Sequence, residues 1–181
     1  MEATPSDPEL RLLAGQVYRA MNDLPHAEAA LQQAQRLSPA HVPIALELAG
    51  VLMAAHKPAD AAAALERVVP ARPARLSEVR FALAAAYQAQ GKRADAQRQY
   101  EQLVVELPGA VEPSVVLATM YLEQKDKLTQ ALELALSAKR GRPLDPDIDL
   151  LIGRIYNEKG MGSLAVPVLE HAVEARPGSA P

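Results

Sequence analysis

Residues 83–108, LAAAYQAQGKRADAQRQYEQLVVELP, decide the fold. The pair Leu83-Ala84 ends in a small residue, and the large Tyr87 follows three positions later, one helical turn on. Gly91-Lys92 breaks the pattern as a turn. A second helical stretch then carries Ala96, Tyr100 and Leu103 at helical spacing before Pro108 stops it, since a proline ring cannot continue the hydrogen-bond ladder. Two antiparallel helices approach closely only where Gly or Ala faces the partner, and a large neighbour fills the space beside that contact. The stretch therefore reads as a helical hairpin.

The same reading extends in both directions. Pro5, Pro39, Pro73, Pro108, Pro143 and Pro177 recur at gaps of 34, 34, 35, 35 and 34 residues, a period that marks an array of repeats. Each unit opens near a proline or an acid, at Pro8-Glu9, Pro43, Ser77-Glu78, Glu112-Pro113 and Pro146-Asp147. Both residue types suit a first helical turn. The pairs ending in a small residue are Ala14-Gly15, Leu48-Ala49, Leu83-Ala84, Leu117-Ala118 and Ile152-Gly153, and Tyr18, Leu52, Tyr87, Tyr121 and Tyr156 follow them. Turns fall at Asn22-Asp23, His56-Lys57, Gly91-Lys92, Lys125-Asp126 and Gly160. The second helices carry Ala27, Ala61, Ala96, Ala131 and Ala165, then Leu31, Leu65, Tyr100, Ala135 and Leu169, then Ala34, Val68, Leu103, Ala138 and Ala172. One hairpin cannot bury its apolar face alone, so hairpins stack and share a core.

On these residues the chain resembles a tetratricopeptide repeat protein over about residues 8 to 177. The resemblance implies an all-α, right-handed superhelix of five antiparallel helix pairs. The repeats are bounded as 8–41, 42–76, 77–110, 111–145 and 146–177. Residues 1–7 read as the end of a preceding repeat or an N-terminal extension, and 178–181 as a tail. The phase of both ends suits a slice of a longer array, with Leu169 and Val173 left open. An intact chain that pairs through open ends is the alternative. Some positions depart from the family pattern. Arg11, Ala45, Arg80, Ser114 and Asp149 replace the aromatic that usually opens the first helix. Leu52 replaces a tyrosine, and the fourth unit has one extra residue around Lys127-Leu128. An extra residue also precedes the third unit, where Pro70 is expected to end a helix early, lengthen the connection 70–76 and change the superhelix pitch locally.

In this family the first helices line an inner groove, and the facing positions carry over unit by unit. Leu12, Leu46, Phe81, Val115 and Leu150 form an apolar stripe. Beside it lie Gln16, Gly50, Ala85, Thr119 and Arg154, then Arg19, Met53, Gln88, Leu122 and Asn157. Glu9, Glu78, Glu112 and Asp147 stand near the rim. An apolar stripe with polar edges suits an extended or helical apolar segment of a partner, with Phe81 as a central anchor. Packing against neighbouring first helices also accounts for the stripe. The chaperone-tail members of the family grip a terminal carboxylate with Lys and Asn along this wall. Leu12 and Gln16 stand in those places, which argues against that activity.

Composition narrows the function further. Nearly half the residues are apolar, with one Phe, no Trp and abundant Ala, which suits close helix contacts in a folded chain. A net charge of −3 makes no case for nucleic acid. With no cysteine, disulfides, thiol catalysis and thiolate metal sites are ruled out. No apolar run approaches the roughly 18 residues of a membrane span, and the first residues lack the character of a signal peptide. Arginine in excess of lysine, with much Ala and Pro, points to a GC-rich bacterial genome. The compartment, bacterial cytoplasm or periplasm, stays open.

Four other features have plain readings. Gly160-Met161-Gly162-Ser163-Leu164-Ala165 matches a dinucleotide fingerprint in form, but helically spaced Leu150, Leu151, Ile155 and Tyr156 precede it where a strand is needed. Asp145, Asp147 and Asp149 start like a calcium loop, which then fails at Leu150 and Tyr156; capping explains them. His26, His41, His56 and His171 lack metal-ligand spacing and read as surface or turn residues. Arg36, Arg67, Lys139-Arg140 and Arg176 lie near second-helix C-termini, where the helix dipole favours them. No catalytic residue, cofactor site or metal site is expected.

The expected function is a protein-interaction scaffold that holds an apolar or amphipathic partner segment. Its setting would be a bacterial assembly, secretion or envelope and exopolysaccharide machine. A regulatory or substrate-recruiting arm of a larger enzyme such as a glycosyltransferase is one alternative. A self-assembling array is another.

Overall fold

A computed structural model describes residues 7–69 and 75–175, and every element among them is a helix. The ten helices are α1 (Pro8–Ala20), α2 (Leu24–Leu37), α3 (Val42–Ala54), α4 (Pro58–Glu66), α5 (Leu76–Ala89), α6 (Arg93–Glu106), α7 (Val111–Glu123), α8 (Leu128–Gly141), α9 (Pro146–Glu158) and α10 (Gly162–Glu174). The chain divides into two compact units, Met1–Gln99 and Tyr100–Pro181, with the boundary inside α6.

Local chemistry sets the helix starts. The Asp7 carboxylate accepts from the Glu9 N–H at 2.8 Å, and Asp145 accepts from the Asp147 N–H at 3.0 Å. Asp23 caps α2 through the His26 N–H at 3.3 Å. These bonds satisfy donors that a helix start leaves orphaned. Prolines in the first turns of α1, α2, α3, α4 and α9 remove donors that would be orphaned anyway.

The turns inside the hairpins follow one rule. Asn22, His56, Gly91, Lys125 and Gly160 occupy the same place in each repeat, and all have φ between 53° and 72°. The next residue in each donates back to the large residue of the first helix: Asp23 to the Tyr18 carbonyl, Lys57 to Leu52, Lys92 to Tyr87, Asp126 to Tyr121 and Met161 to Tyr156, at 2.8–3.2 Å. This is a six-to-one closure around a left-handed residue. The extra residue of the fourth repeat adds a second left-handed residue, Lys127 at φ 49°, just before α8.

In the N-terminal unit α1 packs on α2, α3 on α4, α2 on α3 and α4 on α5. Its core is built from Leu31, Ile44, Leu48, Val51, Leu65 and Val79, with alanines between them. Close approach is real at Gly15, where an added Cβ would sit 2.4 Å from Leu31 Cγ. In the C-terminal unit α7 packs on α8, α8 on α9 and α9 on α10. Leu117, Ile148, Ile152 and Ile155 are buried there among Ala118, Ala131, Ala135 and Ala138. Gly153 repeats the Gly15 contact, its added Cβ falling 2.4 Å from Leu169 Cδ2.

Helix α4 stops at Glu66, nine residues long against thirteen or fourteen for every other helix. The lengthened connection expected beyond Pro70 lies at 70–74, outside the described residues, as does Arg176. Gly160 and Gly162 form the turn between α9 and α10, with a helix in front of them. Among the described residues no helix is long and apolar enough to cross a membrane.

Candidate functional site

In the N-terminal unit the expected inner positions lie on α1, α3 and α5. Leu12 is buried, while Leu46 and Met53 are half-buried against the core. Phe81 is 39 % exposed, the most open member of the apolar stripe in this unit. Gln16, Arg19 and Gln88 are exposed. Two of them are engaged within the wall: Arg19 Nη1 pairs with Glu47 Oε2 at 3.0 Å, and Gln16 Nε2 reaches Glu47 Oε1 at 3.5 Å. A Cβ at Gly50 would lie 3.5 Å from Arg19 Nη1, an ordinary contact, so this pair does not depend on the glycine. At the rim, Glu9 meets His41 Nε2 at 2.9 Å, and Glu78 is held by Arg75 through Nε at 2.8 Å.

In the C-terminal unit the positions lie on α7 and α9. Val115 and Leu150 are half-buried and Leu122 is buried. The Thr119 hydroxyl donates to the Val115 carbonyl at 2.8 Å, so its hydrogen bond is made within its own helix. Leu122, Arg154 and Asn157 line one cavity of about 320 Å³ with Glu123, Lys125, Glu158 and Leu169. Lys125 and Glu158 close one side of it as an ion pair at 2.7 Å. Arg154 and Asn157 are exposed and have no polar partner among the described residues. The cavity thus has an apolar floor from Leu122 and Leu169, with a guanidinium and an amide at its mouth. Such a site can take an apolar side chain and hydrogen-bond a peptide carbonyl or carboxylate beside it. At the rim of this unit Glu112 is paired with Arg142.

Several side chains do more than the sequence indicated. Glu47 joins the wall although it was not among the expected residues; its place directly after Leu46 was the available signal. Asp149, at the position of a missing aromatic, is 4 % exposed and receives Lys139 Nζ at 2.7 Å and His171 Nδ1 at 2.8 Å on the same oxygen. Lys139 therefore answers a buried carboxylate as well as the dipole of its own helix, and His171 is bound to that carboxylate rather than simply a surface residue. Arg67 likewise donates to Gln35, whose amide donates to the Ala64 carbonyl at 2.9 Å. The tyrosine slot also bonds across repeats. The Tyr87 hydroxyl donates to Glu66 at 2.6 Å and the Tyr121 hydroxyl to Glu101 at 2.8 Å. Burial, reinforced by the Glu66 carboxylate, pushes the Tyr87 phenol up to about 12.

Second-helix clefts are a further feature that sequence reasoning did not find. One of about 320 Å³ lies over Leu48 and Leu52, with Gln32, Arg36, Asp60 and Arg67 around it. Its counterpart in the C-terminal unit, about 370 Å³, lies over Leu117 and Tyr121 between Val104, Val105 and Leu134. The same repeat positions line both, so the signal was present in the register. Among the described residues no three His, Asp or Glu side chains converge as a metal site. Asp145 caps its helix while Asp149 turns to Lys139 and His171, so the three aspartates do not act together.

A family model described as tetratricopeptide repeat matches residues 12–75 and 81–146. Among solved structures, the MamA protein is 20 % identical with a TM-score of 0.80, over 93 % of this chain and 91 % of that one. YrrB, described as a TPR protein with an unusual peptide-binding site, is 16 % identical with a TM-score of 0.82, over 96 % and 89 %. At these identities the likeness shows a shared solenoid fold. No curated protein sequence matches significantly.

Proposed function

Because the chain belongs to the tetratricopeptide repeat family, we propose that it is a scaffold that takes an apolar or amphipathic segment of another protein on the faces of its first helices. The supporting observation is the α7–α9 cavity. There Arg154 and Asn157 stand without polar partners among the described residues, over the apolar Leu122 and Leu169. Water satisfies these exposed donors in the free chain, and over an apolar floor they suit a ligand that brings its own acceptors. The exposed Phe81 ring offers an apolar anchor in the N-terminal unit. YrrB, which shares the fold, is described as having a peptide-binding site, and the same kind of ligand suits this chain. The setting consistent with the arginine- and alanine-rich composition is a bacterial assembly, secretion or envelope and exopolysaccharide machine.

The energetics fit a reversible interaction. Burying about 400 Å² of apolar surface contributes roughly 10 kcal/mol before costs. Association and ordering remove much of it, which leaves affinities around micromolar. Selection of peptides from a displayed library against the whole chain tests the reading. Enriched peptides should combine an apolar residue with a neighbouring acid, and Arg154→Glu should weaken them by about tenfold or more. Failure to enrich any peptide, or binding indifferent to both Arg154→Glu and Phe81→Glu, would remove the proposal.

A further inference from the structure

Two positions of each first helix face whatever precedes them. In the second repeat these are Ile44 and Val51, in the third Val79 and Ala86, and in the fifth Ile148 and Ile155; all six are at most 1 % exposed. Within each unit they lie on helices that pack against the preceding hairpin, α3 on α1 and α2, α5 on α3 and α4, α9 on α7 and α8. In the first repeat the same positions are Leu10 and Val17, each 51 % exposed, with Leu13 beside them at 56 %. The second helices show the converse. Gln35 of the first repeat and Ala62 of the second are 3 % and 4 % exposed where a hairpin follows, while their counterparts in the fifth repeat, Val173 and Val166, are 59 % and 55 % exposed.

The α1 face and the α10 face are therefore the two halves of a junction that this chain builds several times within itself. We propose that copies of the chain stack end to end, with α10 of one copy seated on α1 of the next as α2 is seated on α3. The occupant is a second copy because the contact continues a junction already present in the chain, with apolar side chains on both open faces, Leu10, Leu13 and Val17 on α1 and Val166 and Val173 on α10. The register also fixes one pair of neighbours: Arg11 stands at the place of Asp149, and Val173 at the place of Lys139, which meets Asp149 from the preceding repeat. The contact joins two different surfaces, so it propagates instead of closing as a dimer. It does not depend on the capture of a segment by the first helices.

Sedimentation of the intact chain across a dilution series should give a mass that rises with concentration through multiples of 19.4 kDa. Leu13→Glu with Val17→Glu should hold the chain monomeric, and so should Val166→Glu with Val173→Glu. Mixed in equal amounts, the two variants should form a pair and nothing larger, because each keeps one intact face. Helical circular dichroism checks that the variants fold. A milder probe uses the absence of cysteine: Arg11→Cys copies mixed with Val173→Cys copies should oxidise to a cross-linked pair at least severalfold faster than either alone. A wild-type chain monomeric throughout, variants that pair no better when mixed, or equal cross-linking alone and mixed would each overturn the proposal.

Discussion

The first-helix faces of the two units carry equivalent positions and meet different fates. In the N-terminal unit the polar side chains next to the stripe are consumed within the wall, Gln16 and Arg19 both turning to Glu47. In the C-terminal unit the place equivalent to Glu47 is Leu151, which is buried. Leu122, which holds the place of Arg19, is buried as well, while Arg154 and Asn157 of the fifth repeat are exposed beside a cavity. The side chains that meet where one repeat follows the next thus differ, polar between the first and second repeats and apolar between the fourth and fifth. A repeat family can vary its binding surface by this means while the hairpin itself stays constant.

The difference can be tested first through packing, where the effect is largest. Gly15 and Gly153 are equivalent, and an added methyl meets a leucine at 2.4 Å in both. Leu31 is fully buried and has nowhere to go, whereas Leu169 is half-buried and borders the cavity. Gly15→Ala should cost about 2–3 kcal/mol in urea unfolding, against about 1 kcal/mol or less for Gly153→Ala. Equal costs would mean that the cavity gives Leu169 no freedom.

Next in size is the carboxylate that only the C-terminal unit buries. Asp149→Ala strands Lys139, itself three-quarters buried, and should destabilise by about 2–3 kcal/mol. Glu47→Ala, which breaks the more open pair with Arg19, should cost about 1 kcal/mol or less. It should also free Arg19 and raise the affinity of the N-terminal unit for acidic peptides.

Smaller effects come from the turns and from pH. Lys127→Gly relieves a left-handed residue that the other turns lack but removes the pair of Lys127 with Glu101 at 3.2 Å, so it should stabilise by less than about 1 kcal/mol; thermal melting reads this directly. Tyr87 holds its proton more tightly folded than unfolded. Its contribution is whole below the ordinary tyrosine value near 10 and is lost as pH rises through about 12. Tyr87→Phe should flatten the stability profile across that window.

The fold was legible because its causes are local and periodic. The turn residues from Asn22 to Gly160 and the terminating prolines act within a few positions of themselves, and Gly15 and Gly153 each meet a leucine of their own hairpin. What was missed depends on how successive hairpins meet. Asp149 lies ten residues from Lys139 and twenty-two from His171. Glu47 reaches back thirty-one residues to Gln16. No periodicity states which of two adjacent polar residues will turn toward a neighbour. Within the stripe, the burial of Leu12 shows that part of it is internal packing.

Nuclear magnetic resonance of the arginine side-chain N–H groups and the Asn157 amide, during titration with a selected peptide, puts the contrast between the two faces to its most direct test. The Arg154 and Asn157 signals should shift together with bound fraction while Arg19 stays in place on Glu47. Movement of Arg19 with Arg154 and Asn157 unchanged would contradict the assignment of the open α7–α9 cavity as the site of capture.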